Sequence, residues 1–354
     1  MKRLFIVLFP LFAGIMAAAQ GTMLLRQPSI SNSHIVFVYA NDLWLCDAEG
    51  GDAYRLTSSV GAETEPHFSP DGKMIAFTGQ YDGNTDVYLV PVEGGEPLRL
   101  TYHPGTDRVQ GWMPDGKNII FSTGREGRPT KSNRLFTVSI EGGMPDPLPV
   151  VRSAYGEVSS DGRYLAYTPI TFWDPEWRNY RGGQAQPIWI VNLETMSLDQ
   201  TPRVDNERHM DPAWYGNRVF FLSERDYASN IWSYDITTKE LKQHTFHGDY
   251  DVKSLDACEN KIIYEQGGLL HVLNPDTDES ETLKITVKGD FHWARTRWED
   301  VETRSLANAE LSSTGKRALF EYRGEIISVP AEKGSWRNLT NSPGAADRYP
   351  VWSP

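Results

Sequence analysis

The chain has 354 residues, a formal net charge of −12 and two cysteines. An acidic chain repels a phosphate backbone, so nucleic acid is excluded as an expected partner. The sequence contains no zinc-type cysteine spacing, and we expect neither a metal nor a cofactor.

The N-terminus has the features of a signal peptide over residues 1–19. Lys2 and Arg3 form a charged start, residues 4–16 are apolar, and Ala17 to Ala19 provide small residues for cleavage. The apolar stretch is shorter than the ~20 residues that a membrane-spanning helix needs. We therefore predict cleavage after Ala19, export to the periplasm or the medium, and no membrane span in the mature chain.

A ten-residue cassette returns along the chain at Phe68–Phe77, Trp112–Phe121 and Val158–Tyr167. Each copy contains an Asp-Gly turn followed by an apolar strand. The closing aromatic residue recurs at intervals of 40 to 56 residues, at Phe37, Phe77, Phe121, Tyr167, Phe221, Tyr264 and Phe320. A period of this length is typical of a propeller or solenoid, in which each unit packs only on its neighbours.

Within a copy, the cassette strand is followed by a strand with an aromatic residue, a glycine pair and a third strand that ends in Leu-Thr, as in Arg55-Leu56-Thr57. This order predicts a four-stranded antiparallel blade. Six closely spaced copies followed by a longer interval predict an all-β chain: a six-bladed β-propeller, then the beginning of a second propeller that breaks off at Pro354.

Catalytic motifs are missing from this sequence: it has no Gly-x-Ser-x-Gly nucleophile elbow and no His-Glu-x-x-His pair. Asp71, Asp115 and Asp161 lie in the cassette turns, where aspartate bonds to its own backbone, so we interpret them as structural. Cys46 and Cys258 fall in the first and sixth copies. They are either two small buried residues or a disulfide between neighbouring blades.

Residues just before each cassette lie on the innermost strand of a blade and are expected to face the axial hole. They are either substrate contacts or a solvated channel wall: Glu65, Arg108, Tyr155, His209, Asp211, Asp251 and Lys253.

An insertion over residues 172–186 lengthens the fourth repeat and is rich in Trp, Tyr and Arg. Such residues anchor binding surfaces, which makes Trp177, Tyr180 and Arg181 candidates, although a loop packed over the blade would have the same composition. The segment Glu176–Gln186, with Ile188-Trp189-Ile190 after it, resembles the Trp-x-x-Tyr-Arg-Gly-Gly segment of the tricorn protease family.

That resemblance implies a six-bladed propeller over 24–285, a linker over 286–305 and the start of a seven-bladed propeller over 306–354. It also implies a serine peptidase whose catalytic residues lie beyond Pro354, so no catalytic residue is assigned in this chain. The propellers of the family are thought to be channels for peptides, and its members form homo-oligomers, here expected to be a hexamer.

Archaeal members of the family grip the carboxyl terminus of the peptide with paired arginines. In the corresponding loop of this chain, residues 101–109, only Arg108 is basic. Arg125, Arg128 and Lys131 in the next loop are candidates to replace the missing arginine.

Three other readings remain. A non-enzymatic periplasmic propeller of the Tol system would bind proteins, but it carries an α/β domain before its first blade, and only about ten residues are available here. A prolyl-oligopeptidase has one propeller, whereas the cassettes resume at Phe320. A lyase propeller would need an acid–base or metal site that the sequence does not reveal.

Overall fold

The computed structural model describes residues 21–126, 132–171, 178–291, 300–342 and 345–353. The chain divides into two compact units, one ending at Gly289 and the other beginning at Asp290. The predicted signal peptide lies outside the described residues.

In its described ranges, the first unit consists of six sheets, each built on four consecutive antiparallel strands, which we call blades 1 to 6, and one strand is added at the edge of blade 1. Blade 1 contains β1 (Arg26–Ile30), β2 (His34–Tyr39), β3 (Asp42–Asp47) and β4 (Gly50–Arg55). Blade 2 contains β5 (Glu63–Phe68), β6 (Met74–Gly79), β7 (Asp86–Pro91) and β8 (Leu98–Arg99). Blade 3 contains β9 (Asp107–Trp112), β10 (Asn118–Thr123), β11 (Arg134–Ser139) and β12 (Asp146–Pro147). Blade 4 contains β13 (Tyr155–Val158), β14 (Tyr164–Thr168), β15 (Trp189–Asn192) and β16 (Leu198–Gln200). Blade 5 contains β17 (His209–Tyr215), β18 (Arg218–Ser223), β19 (Asn230–Asp235) and β20 (Leu241–Gln243). Blade 6 contains β21 (Val252–Ala257), β22 (Ile262–Gln266), β23 (Leu269–Leu273) and β24 (Ser280–Thr282).

The first strands of the six blades form a closed ring. Each of β1, β5, β9, β13, β17 and β21 contacts the first strand of the next blade, and β21 contacts β1. At that junction the N–H of Ile30 donates to Asp256 Oδ2 at 3.0 Å and the N–H of Gln27 donates to Glu265 Oε2 at 3.0 Å. The ring therefore has the topology of a six-bladed propeller, with the first strand of each blade innermost.

The hydrophobic core lies between neighbouring blades. Phe77 on β6 packs with Val36 and Leu45 of blade 1, while the adjacent Ala76 packs with Val109 and Phe121 of blade 3. Successive residues of a strand point to opposite faces, and both faces of a blade are covered. This explains why the cassette strands are continuously apolar rather than alternating.

The cassette aspartates have the structural role that the sequence predicts. Asp71 Oδ1 accepts the Ser69 hydroxyl at 2.7 Å and the N–H of Lys73 at 3.2 Å. Asp161 makes the same two bonds, with the Ser159 hydroxyl and the N–H of Arg163. The Ser69 bond lowers the pKa of Asp71, as the Ser159 bond lowers that of Asp161. These carboxylates close the turn between the first two strands of a blade.

The Leu-Thr ending also has a structural explanation. The hydroxyl oxygens of Thr57, Thr101, Thr201 and Thr245 each accept a buried backbone N–H from the start of the third strand of the same blade, at 2.9 to 3.0 Å. In blade 2, Arg99 adds an ion pair to the buried Asp86 at 2.7 Å. These bonds satisfy backbone donors that would otherwise be buried without a partner.

One further strand, β25 (Ile285–Val287), completes the first unit. It lies parallel to β4 and makes blade 1 a five-stranded sheet. The N–H of Thr22 donates to the Ile285 carbonyl at 2.7 Å, and the N–H of Val287 donates to the Thr22 hydroxyl at 2.9 Å. Segments from both ends of the first unit thus meet at the edge of blade 1.

The second unit contains a short 3₁₀ turn, Thr303–Ser305, and one four-stranded antiparallel sheet in its described ranges. Its strands are β26 (Leu306–Leu311), β27 (Arg317–Tyr322), β28 (Glu325–Pro330) and β29 (Arg337–Asn338). The hydroxyl of Thr340 accepts the N–H of Ile326 at 3.1 Å, as the corresponding threonines do in the propeller. The sheet has the construction of a blade, and its place at the start of a second propeller stays a prediction.

Candidate functional site in the axial channel

β-Bulges change the direction of side chains along several of the inner strands. Bulges interrupt β1, β5 and β17, and each contains a non-glycine residue with positive φ: Gln27 (47°), Glu65 (53°) and Asp211 (51°). This conformation costs about 1–2 kcal/mol for a residue with a Cβ atom. A bulge re-aims side chains, and here it repeats at equivalent positions of three blades.

Five carboxyl groups lie on the first or second strands of four blades and are linked to one another by charge effects. We call this set the throat cluster: Glu65, Glu157, Asp211, Asp256 and Glu265. Asp211 lies close enough to Glu65, Asp256 and Glu265 for their charges to act on it, and Asp256 acts in the same way on Glu157. The throat cluster therefore concentrates negative charge in the middle of the ring.

Burial and this crowding raise the pKa of Asp211 and of Glu157. Burial, followed by the charges of Glu65, Asp256 and Glu265, raises the pKa of Asp211 to about 7 against the opposing hydrogen bond from the N–H of Leu255. Burial likewise raises the pKa of Glu157, with Asp256 adding to the effect, although the N–H of Trp214 donates to it at 3.1 Å. Asp211 consequently gains or loses a proton near neutral pH.

Basic groups lie beside the throat cluster at the ends where the inner strands begin. Arg108 forms an ion pair with Glu65 at 2.9 Å, and its guanidinium is half exposed. Arg26 and Lys253 lie on exposed positions near the starts of β1 and β21 and act on Glu265 by charge. The end of the axial channel where the inner strands begin is called the basic mouth. The lining of the channel thus changes from basic side chains at this mouth to the acidic side chains of the throat cluster.

Tyr155 completes the wall between these regions. Its pKa is raised, first by burial and then by the charge of Glu65. Arg108, Tyr155 and Asp211 lie on the inner strands of three blades, and their contact with a substrate stays a prediction.

His209 does not line the channel, contrary to the sequence interpretation. Its side chain is buried, its Nδ1 lies 2.7 Å from the Thr201 hydroxyl, and its ring packs 4.6 Å from that of Phe221. Burial lowers its pKa to about 4, so the imidazole is neutral at physiological pH. The bulge in β17 is the reason: it breaks the alternation that would put His209 and Asp211 on one face.

The side chain of Arg125 is held by contacts within the propeller. It forms an ion pair with the buried Asp107 at 2.6 Å, and its guanidinium lies 5.2 Å from the ring centres of Phe121 and Phe136. The neighbouring candidates Arg128 and Lys131 lie outside the described residues, as does Trp177. Whether these three contact a peptide stays a prediction.

The described end of the insertion crosses the ring from blade 4 to blade 6. Arg178 forms a two-point ion pair with Asp251, with Nε to Oδ2 and Nη2 to Oδ1 both at 2.8 Å. Arg181 donates to the Glu224 carbonyl of blade 5 at 2.8 Å and lies over the ring of Tyr227. Asp251 is therefore a partner of the insertion, which packs over blade 5 at the basic mouth. Tyr180 folds back on Gly182, where a Cβ atom would collide with the tyrosine hydroxyl.

The two cysteines are free. Cys46 is buried, which raises its pKa to about 12, and the pKa of Cys258 is also raised by burial. Both are thiols of low reactivity, and the interpretation as small buried side chains fits better than a disulfide.

Three of the throat carboxyl groups were not found from the sequence: Glu157, Asp256 and Glu265. Glu157 follows Tyr155 by two positions and so shares its face of β13, a signal that alternation alone provides. Glu265 lies on the second strand of blade 6 and reaches the N–H of Gln27 across the ring junction. That contact depends on ring closure.

The structure describes no group of three or more His, Cys, Asp or Glu side chains able to hold a metal ion in its ranges. Within the same ranges, no helix has the length and apolar character needed to cross a bilayer.

Comparison with known proteins shows which family has this architecture. Residues 22–279 match the family model described as the tricorn protease N-terminal beta propeller domain. Tricorn protease of Thermoplasma acidophilum is 32% identical over 294 residues, covering 74% of this chain and 25% of that protein. Putative tricorn protease homolog 2 of Streptomyces coelicolor is 27% identical over 338 residues, covering 92% of this chain and 28% of that protein. The crystal structure of the tricorn protease matches with a TM-score of 0.68 and 26% identity, over 92% of this chain and 32% of that one.

A closed ring of four-stranded blades defines the first unit as a six-bladed β-propeller. The family model covers well over half of the chain, and the chain belongs to the tricorn protease family. The recognition based on the Tyr-Arg-Gly-Gly segment is thereby confirmed. The chain spans about a quarter to a third of the length of these relatives.

Proposed function

We propose that this chain is the propeller portion of a larger, exported, tricorn-like serine peptidase and that its ring guides peptides. The observation that carries the proposal is the charged lining of the closed ring, basic at one mouth and acidic in the throat. Catalysis is assigned to a region beyond Pro354. As in the family resemblance, the assembled protein is a homo-oligomer.

The lining supports this role in physical terms. An axial hole surrounded by six inner strands admits an extended chain and rejects a folded protein. Negative charge in a narrow, low-dielectric channel attracts cationic groups such as a free amino terminus or a lysine side chain. Arg108 lies at the transition and provides a guanidinium for carboxylate or carbonyl groups of a passing peptide.

The channel is tested by blocking it in the full-length protein. Arg108→Cys, made together with Cys258→Ser, places an accessible thiol on the channel wall, while Cys46 stays buried and unreactive. Labelling with a polyethylene glycol maleimide is expected to remove most of the hydrolysis of unstructured fluorogenic peptides. The control is Asp146→Cys in the same background, because Asp146 is exposed on the outermost strand of blade 3.

Equal activity of both labelled proteins would show that peptides do not pass through this ring. If the unlabelled full-length protein binds peptides but hydrolyses none, the peptidase assignment falls. A non-enzymatic binding propeller would then be the better description.

The export proposal has its own measurement. Expression of the full-length gene in a Gram-negative host is expected to give a mature protein that begins at Gln20, as determined by N-terminal sequencing of the periplasmic fraction. Substitution of Ala17 and Ala19 by bulky residues should block this cleavage. A cytoplasmic protein that retains Lys2 and Arg3 would contradict export.

A further inference from the structure

A cavity of about 210 Å³ lies between the insertion of blade 4 and the loop that joins β16 to β17. Its lining consists of Arg181, Gly182, Gly183, Ala185, Gln186, Arg203 and Asn206. None of these residues belongs to an inner strand or to the throat cluster. The cavity is therefore separate from the lining of the axial channel.

Two guanidinium groups in this cavity are held by backbone carbonyls. Arg203 Nη1 donates to the Ala185 carbonyl at 2.7 Å, and Arg181 Nη2 donates to the Glu224 carbonyl at 2.8 Å. A carbonyl fixes the direction of a guanidinium without cancelling its charge. Both side chains are thus oriented before any ligand arrives.

Their charges are only partly compensated. Within the described ranges, Arg203 has no carboxylate partner, and Arg181 has one at 3.5 Å, the largely exposed Asp205. The Nη1 atom of Arg181 is shielded from solvent and has no hydrogen-bond acceptor among the described residues. A shielded cationic donor without an acceptor is costly unless a ligand supplies one.

Nearby acidic residues are already used by other arginines. Glu207 is buried and pairs with Arg225 at 2.8 Å, and Glu224 pairs with Arg208 at 2.8 Å. Burial lowers the pKa of the neighbouring His209, and the charges of Arg225 and Arg203 lower it further against the opposing effect of Glu207. Arg181 and Arg203, on the cavity side of these ion pairs, therefore carry positive charge that the carboxylates only partly neutralise.

The glycine pair shapes the space. A Cβ atom on Gly183 would meet no atom within 4 Å, so this position opens into free volume. A water molecule occupies about 30 Å³ in the liquid, which makes the cavity large enough for an anion of several heavy atoms.

We propose that this cavity binds a small oxyanion, a carboxylate or phosphate group, between Arg181 and Arg203. Planar guanidinium groups match such anions through paired N–H···O bonds. The ligand replaces the missing acceptor of Arg181 and neutralises Arg203. This inference goes beyond the channel function and does not depend on it.

The experiment is isothermal titration calorimetry at low ionic strength on the full-length protein with three probes: inorganic phosphate, N-acetylalanine and the uncharged N-acetylalaninamide. Arg203→Gln should weaken binding of the charged probes about tenfold or more, since a charged hydrogen-bonded pair is lost. Arg163→Gln is the matched control, because Arg163 is an exposed arginine in a cassette turn and loses the same charge.

A second variant tests the proposal independently if Arg203→Gln does not fold. Gly183→Asp places a carboxylate in the open volume and should abolish binding without lowering Tm. Binding of N-acetylalanine but not of its amide would support a site for a carboxyl-terminal group, and binding of phosphate alone would support a site for a free oxyanion. Absence of binding by both charged probes, or equal weakening in Arg203→Gln and Arg163→Gln, would overturn the proposal.

Discussion

Ile285→Asp is expected to lower the free energy of unfolding of the propeller by about 3–5 kcal/mol. Ile285 is 1% exposed and lies on β25, which pairs with β4 at the edge of blade 1. The substitution removes a buried apolar side chain and puts a carboxylate in its place without a cation to pair with. Chemical denaturation followed by far-UV circular dichroism measures the effect.

The control for this variant is Lys284→Asp, which introduces the same residue one position earlier on an exposed site. Its effect should remain below about 1 kcal/mol, because surface substitutions rarely cost more. Hydrogen exchange adds a local readout: the Gly51 amide, which donates to the Lys284 carbonyl at 2.9 Å, should lose protection in Ile285→Asp. Equal stability of the two variants would mean that β25 does not contribute to closing the ring.

Asp211→Asn is expected to stabilise the propeller at pH 8 and to have no effect near pH 4. The pKa of Asp211 is raised to about 7, so the folded state holds its proton more tightly than the unfolded chain does. The favourable contribution of the neutral carboxyl group is present below its ordinary pKa of about 4 and is lost as the pH rises through 7. Asparagine keeps the shape, stays neutral and tolerates the φ of 51°.

The gain at pH 8 should be about 1–3 kcal/mol, less than the full shift would give, because water in the channel screens the charge. Thermal unfolding of both proteins between pH 4 and pH 8 measures it. Asp161→Asn is a control with the opposite sign, since the pKa of Asp161 is lowered by the Ser159 hydroxyl. A difference between Asp211→Asn and the parent that does not change with pH would show that the throat cluster does not hold this proton.

The blades could be predicted from the sequence because their determinants are local. A Pro-Asp-Gly turn, a strand of six residues and a threonine that caps its own blade lie within one repeat of each other, as in Asp71 and Thr101. Each of these features is decided by short-range hydrogen bonds and side-chain alternation. The longer interval before Phe320 then separates the first propeller from the second unit.

Ring closure and the residues of the throat cluster could not be predicted from local sequence features. β25 is three residues long, belongs to no cassette and pairs in parallel with a strand more than 230 residues earlier in the chain. Glu265 comes near Gln27 only because blade 6 meets blade 1. The bulges moved His209 out of the channel and kept Asp211 in it, and a bulge leaves no reliable mark in a single sequence.

The meeting of Thr22 with β25 has a mechanical consequence. A tensile load applied between residue 22 and residue 287 passes through the few hydrogen bonds that join Thr22, Ile285 and Val287 and through the parallel pairing with β4. Blades 2 to 6 lie outside that load path and stay unstressed until this seam separates. Under force the ring would yield first at blade 1, away from the insertion and the cavity beside it.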